Sequence, residues 1–169
     1  MEQQLQRLLD RQACEDVLIR YGRTLDWLDQ EGQASCYWQD AQIDYGFFKG
    51  SAVDWIPVVM GLEEASPRRW HMTSGIIVEV NGNKATSECY GLSMGSSKNE
   101  EGGLIATLFG GRYLDELEKR DGQWRLSKRT YIADWSQSFP DGLDAMVDSG
   151  FILNILQITQ AGHKAYQPL

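Results

Sequence analysis

The chain has 169 residues, 42% of them hydrophobic and 24% charged, a composition that suits one globular domain and argues against disorder. Lys and Arg number 16 against 24 Asp and Glu, and the net charge of −8 repels phosphate backbones and anionic lipid, which argues against nucleic acid and membrane surfaces as partners. A domain of this size buries roughly 70% of the surface its unfolded chain exposes, so it needs neither a disulfide nor a metal to fold.

Met1 to Arg11 is polar and lacks the apolar centre of a signal peptide. No apolar run approaches the ~20 residues of a membrane span. Cys14, Cys36 and Cys89 lie far apart, without a CxxC pair and in odd number, which reads as reduced thiols in a cytoplasmic protein.

In chain order, Leu5, Leu8, Leu9, Ala13, Val17, Tyr21, Leu25 and Leu28 recur at three- and four-residue steps. The spacing predicts an amphipathic helix from about Gln3 to Trp27, with a break near Gly22. A second short helix is expected around Gln33 to Trp38. Gln42 to Phe47 alternates as a strand with one wet face. Ser51 caps a helix start with Asp54 three residues on, and Pro57 is expected to make that helix irregular. Ile76 to Val80 and Ala85 to Met94 read as a hairpin around Asn81-Gly82-Asn83. Ser96 to Gly103 is a polar connection. Leu104 to Leu117 and Trp124 to Trp135 form a second hairpin, closed by Lys119-Arg120-Asp121-Gly122. Met146, Phe151, Ile152, Ile155 and Leu156 have helical spacing within Leu143 to Gln160.

Helices first and strands afterwards define an α+β fold, with helices packed on one face of a largely antiparallel sheet. Glycines at 102, 103, 110 and 111 suit bulges that curl such a sheet into a cone whose open end is a pocket.

Six Trp, seven Tyr and five Phe suit a ligand cavity, where rigid apolar walls carry an occasional polar tip, and they suit a plain aromatic core equally. The chain has two histidines. His163 stands in the polar segment Gln160-Ala161-Gly162-His163. His71 stands beside Trp70 at the mouth of a predicted strand, a setting shared by catalytic and by purely structural histidines. Asp26 and Asp29 fall at the end of the first helix with Arg23 nearby, which also describes a solvated helix end with an i,i+3 pair worth a few tenths of a kcal/mol. Two histidines about ninety residues apart offer no metal-ligand spacing. Neither a nucleophile elbow nor a phosphate-binding glycine loop occurs, and Cys89 carries no cue for thiolate activation. Redox cofactors and nucleotides have no support.

Four segments carry a resemblance: Arg20-Tyr21-Gly22-Arg23-Thr24-Leu25-Asp26, Gln39-Asp40-Ala41-Gln42-Ile43-Asp44-Tyr45, Arg69-Trp70-His71-Met72, and Gly111 to Arg125 with its Glu118-Lys119-Arg120-Asp121-Gly122 run. In order and spacing the chain resembles the SnoaL-like, scytalone-dehydratase-like branch of the nuclear-transport-factor-2-like superfamily. The likeness covers roughly residues 5 to 136 and leaves 137 to 169 as a tail within one domain of residues 1–169. It implies a cone of curled mixed or antiparallel sheet around N-terminal helices, a cystatin-like α+β barrel.

Family members that eliminate water or chloride pair an aspartate at the end of the first helix with a histidine before a strand. Asp26 and His71 match those positions, and Asp44-Tyr45 matches the Asp-Tyr of scytalone dehydratase. The second pocket histidine of that enzyme falls at Cys89 or its neighbour and its pocket asparagine near Tyr113, so scytalone is not the implied substrate. The resemblance implies a cofactor-independent lyase. His71 would remove a proton next to a carbonyl, Asp26 would hold its other nitrogen, and Tyr45 or Tyr113 would donate to the developing enolate. Trp27, Phe47, Trp55, Trp70 and Phe109 are candidate walls around a small aromatic or cyclic hydrophobic substrate, or plain core. The same fold hosts isomerases, polyketide cyclases and non-catalytic small subunits like those of ring-hydroxylating dioxygenases, and by resemblance it assembles as a homo-dimer or trimer through sheet faces.

Overall fold

The computed structural model describes residues 1–154 and 161–167, apart from the side chain of Asp144. Helix α1 (Glu2–Asp26) leads into α2 (Gln30–Ser35), strands β1 (Tyr37–Asp44) and β2 (Lys49–Ser51), and helix α3 (Ala52–Glu64). Four long strands follow, β3 (Arg69–Asn81), β4 (Lys84–Lys98), β5 (Leu104–Arg120) and β6 (Gln123–Pro140), and then a short helix α4 (Leu143–Asp148). The strands form a six-stranded unclosed sheet in the order β2-β1-β6-β5-β4-β3. Among the described residues only the β1–β6 pairing is parallel. The helices lie against the inner face of this curled sheet, the α+β cone expected from the helix-then-strand order.

Several boundaries differ from the sequence reading. Helix α1 runs unbroken through Gly22, because that glycine is a close-packing position and not a stop. Its apolar stripe is buried only from Cys14 onward, and Leu5, Leu8 and Leu9 are exposed. The N-terminal half is tethered by Asp10, which accepts from Lys119 Nζ at 2.7 Å and from Trp124 Nε1 at 2.9 Å. The second helix starts three residues earlier than expected, where Asp29 caps it by accepting from the Gly32 N–H at 2.9 Å. Tyr37 and Trp38 consequently open β1 instead of closing a helix. Helix α3 is capped by Ser51 as expected, and it continues through Pro57. Strand β4 reaches Lys98, so the connection to β5 is only residues 99–103. Of the predicted C-terminal helix, Leu143 to Asp148 is helical and residues 149–154 are not. Ile155 and Leu156 lie outside the described residues.

The narrow part of the cone is filled by aromatic rings around one buried ion pair. Asp115 and Arg129 face each other across β5 and β6 and bond in the two-pronged geometry at 2.8 and 2.7 Å, both fully buried. The Arg129 guanidinium lies 4.2 Å from the ring centres of both Tyr21 and Tyr113. Trp55, 1% exposed, stacks on Tyr45 at 4.3 Å, and Tyr45 stacks on Tyr131 at 5.2 Å. Among the described residues no helix is long and apolar enough to cross a membrane.

Candidate active site

Asp26 is the last residue of α1 and His71 the third of β3, and α1 packs directly on that strand. Gly22, one turn before Asp26, makes the approach possible: a Cβ there would stand 3.0 Å from His71 Cβ. The His71 ring nitrogen Nδ1 lies 2.8 Å from Asp26 Oδ1, and the His71 backbone N–H donates to Asp26 Oδ2 at 3.1 Å. Because a carboxylate only accepts, Nδ1 carries the proton, and Nε2 is the bare nitrogen of the neutral ring. Burial pulls the His71 pKa down, but the Asp26 hydrogen bond and the charges of Glu63 and Asp26 outweigh it, so the pKa lies above the usual 6.5.

Two further residues complete this cluster, and the sequence reading singled out neither. Glu63, in the last turn of α3, places Oε1 3.5 Å from His71 Nε2. Arg69, nearly buried, donates from Nε to the Glu63 carbonyl at 2.7 Å, from Nη2 to the Ser66 carbonyl at 2.5 Å and from Nη1 to the Asp26 carbonyl at 3.4 Å. It thereby ties the C-terminal ends of α1 and α3 together at the site. The available signal was local. Glu63 and Glu64 are acidic residues at a helix C-terminus, where the helix dipole disfavours them.

Strand register shows what surrounds the ring on the inner face. His71 is opposite Ser93, Ser93 opposite Phe109 and Phe109 opposite Ser136, so these side chains form one row. The next row is Thr73, Gly91, Gly111 and Ala133, and the one beyond contains Cys89, Tyr113 and Tyr131. Gly91 and Gly111 admit the rings of Tyr113 and Tyr131, whose atoms would lie 2.5 and 2.6 Å from a Cβ at those positions. Both phenols therefore lean toward the His71 row. Burial raises the Tyr113 pKa well above 10, which keeps it a proton donor.

The predicted site residues divide accordingly. Asp26 and His71 meet. Phe109, 42% exposed, shares the His71 row, and Tyr113 leans toward it. Tyr45 is in the aromatic core, its hydroxyl 2.7 Å from that of Tyr21, and Trp55 stacks beneath it as core. Phe47 is 71% exposed, meets Tyr45 edge-on and lies tilted against Trp55. Trp70 is 44% exposed, and strand alternation turns it to the outer face, away from its neighbour His71. Trp27 packs on Tyr166 and His163 of the C-terminal segment, where Arg23 Nη1 donates to Tyr166 Oη at 3.2 Å. Asp29 bonds the same Tyr166 hydroxyl. Cys89 is buried, and burial pushes its thiol up to about 12, which leaves it inert. A cavity of about 700 Å³ lined by Tyr37, Trp38, Val53, Ile56 and Pro57 includes neither dyad residue. Among the described residues no three His, Cys, Asp or Glu side chains are grouped to hold a metal.

A curled sheet wrapped on helices, with a carboxylate-held imidazole on its inner face, is the architecture of an α+β cone. The sequence matches the SnoaL-like domain over residues 6–130, and the chain belongs to that family, within the nuclear-transport-factor-2-like superfamily. The fold is similar to that of a putative scytalone dehydratase from Novosphingobium aromaticivorans DSM 12444, with 20% identity, a TM-score of 0.68, and 78% of this chain and 89% of that one covered. It is similar to hexachlorocyclohexane dehydrochlorinase LinA-type3 from Novosphingobium barchaimii LL02, with 24% identity, a TM-score of 0.69, and coverage of 80% and 94%. A further LinA structure shares 26% identity with a TM-score of 0.67, covering 80% of this chain and 93% of that one. No curated protein matches the sequence significantly.

Proposed function

We propose that the protein is a cofactor-independent, dehydratase-like lyase acting on a small aromatic or cyclic, polyketide-like substrate. His71 Nε2 takes a proton from the carbon next to a carbonyl, and water leaves from the neighbouring carbon. The observation that carries this reading is the double attachment of His71 to Asp26, at 2.8 Å through the ring and 3.1 Å through the backbone. It presents Nε2 as the base while the carboxylate fixes the tautomer and stabilises the imidazolium that forms. A positioned base of this kind typically contributes ~10²–10⁴-fold in rate. Tyr113 donates to the enolate oxygen and Phe109 walls the ring of the substrate. The names of two similar structures, a dehydratase and a dehydrochlorinase, both describe eliminations and support the same class.

The outer sheet face supports self-association into a dimer or trimer. Met72 and Trp135, both exposed, share one cross-strand row with Leu92 and Gly110, and exposed Trp70 begins the adjacent row. Its three cysteines are buried free thiols, in keeping with a reducing, cytoplasmic setting.

The test is a panel of cyclic β-hydroxy ketones offered to the purified chain. Formation of the conjugated enone, lost in His71→Gln, supports the lyase. Migration of a double bond without loss of water would assign an isomerase, and co-purification with a large iron protein in place of turnover would assign a non-catalytic subunit.

A further inference from the structure

The His71 ring stands between two carboxylates, and only one of them is needed to hold it. Asp26 occupies Nδ1 at 2.8 Å, while Glu63 Oε1 faces Nε2 at 3.5 Å, within ion-pair reach but longer than a formed hydrogen bond. Glu63 and His71 side chains are 15% and 11% exposed, too enclosed for water to screen them fully.

Asp26 from α1, Glu63 from α3 and Arg69 and His71 from β3 face one another here, with Glu64 acting on Arg69 from the same turn of α3. One proton shared by Glu63 and His71 sits either on Oε1 or on Nε2, and moving it between them leaves the net charge of the cluster unchanged, which is the inexpensive way to move a proton in low dielectric.

We propose that Glu63 is the proton-exchange partner of His71 and the acid of the elimination, an inference that rests on the lyase reading above. At the start Glu63 holds the mobile proton and Nε2 is bare. Nε2 takes the α-proton as the C–H bond breaks, and its electron pair passes through the enolate into the new double bond. The departing hydroxide takes the Glu63 proton and leaves as water. The imidazolium then returns its Nε2 proton to the Glu63 carboxylate. One proton leaves carbon, one joins hydroxide, and the cluster ends as it began. Burial raises the Glu63 pKa above the usual carboxylate value, the direction that suits an acid.

The test follows the His71 ring by ¹⁵N NMR through a pH titration of the intact protein, in wild type, Glu63→Gln and Asp26→Asn. A shared proton makes wild-type His71 titrate in two steps. In Glu63→Gln the curve collapses to one step and its midpoint falls by about half a unit or more, because an attracting carboxylate is gone. Glu63→Asp, which withdraws the carboxylate by one methylene, gives a smaller fall and carries the comparison if the glutamine variant does not fold. A single step at an unchanged midpoint in these variants overturns the proposal. A His71 response to Asp26→Asn alone would leave the base–carboxylate reading standing without Glu63, and no response to either variant would remove both.

Discussion

Asp26 holds His71 at two points, the ring nitrogen Nδ1 on Oδ1 and the backbone N–H on Oδ2. The carboxylate therefore positions the strand as well as the imidazole on it, and the end of α1 and the start of β3 are set as one unit. Gly22 permits this by letting the helix approach within contact of His71 Cβ.

Asp26→Asn keeps an acceptor for one of these bonds but presents an amide where the other acceptor stood. The ring then loses its preference for the Nδ1–H tautomer. We expect elimination to fall by about 10³–10⁴-fold, as for the orienting aspartate of a protease triad, with the fold intact. Steady-state rates beside a thermal melt check this, and a loss of rate that only tracks a loss of melting temperature would make Asp26 structural.

The pH dependence follows from the raised His71 pKa. The pair is active with one proton, held by Glu63 while Nε2 is bare, so kcat/KM is bell-shaped in pH, falling where the pair takes a second proton and again where it loses its last. A group that binds its proton more tightly when folded contributes stability that is full below its unfolded pKa and is lost as pH rises through the folded one. His71 therefore contributes below about 6.5, and Glu63, also raised, contributes in the same sense. Melting temperature should fall as pH rises through the His71 titration, and His71→Gln should flatten the upper part of that fall.

Gly22→Ala adds helix propensity worth about 1 kcal/mol but places a methyl 3.0 Å from His71 Cβ, so helix and strand must separate by a few tenths of an ångström. Activity should drop about tenfold while melting temperature changes little. Equal activity in the variant would show that the spacing of α1 and β3 does not set the site.

The Asp115–Arg129 pair is a separate matter of stability. Arg129→Met leaves Asp115 buried without its partner and should cost about 3–5 kcal/mol in a denaturant melt, whereas Asp115→Leu with Arg129→Met should recover most of that loss. Equal destabilisation by the single and double variants would contradict this reading of the core.

How much of this was legible in the sequence depended on whether a signal was local. The hairpins and the Ser51 cap were legible because alternation and turn chemistry act over a few residues, and the Asp26–His71 pair because four segments kept family spacing. The start of β1 was not, since Tyr37 and Trp38 follow Cys36 with no turn residue, and Tyr37 takes its strand partner, Leu126, from distant β6. The exposure of Leu5, Leu8 and Leu9 was not, because periodicity marks an apolar face without saying whether the sheet reaches far enough to cover it. Trp70 and Phe109 were grouped as walls, yet strand alternation and register turn one outward and place the other in the His71 row. Glu63 came into view only when α3 brought its C-terminal turn to Nε2.

The most direct measurement is the rate at which the α-proton of a cyclic β-hydroxy ketone is lost, followed with α-deuterated substrate in wild type and His71→Gln of matched melting temperature. Proton removal by His71 predicts a primary isotope effect in the wild type and a loss of about 10²–10⁴-fold in the variant. A His71→Gln protein that removes the α-proton at the wild-type rate would contradict it.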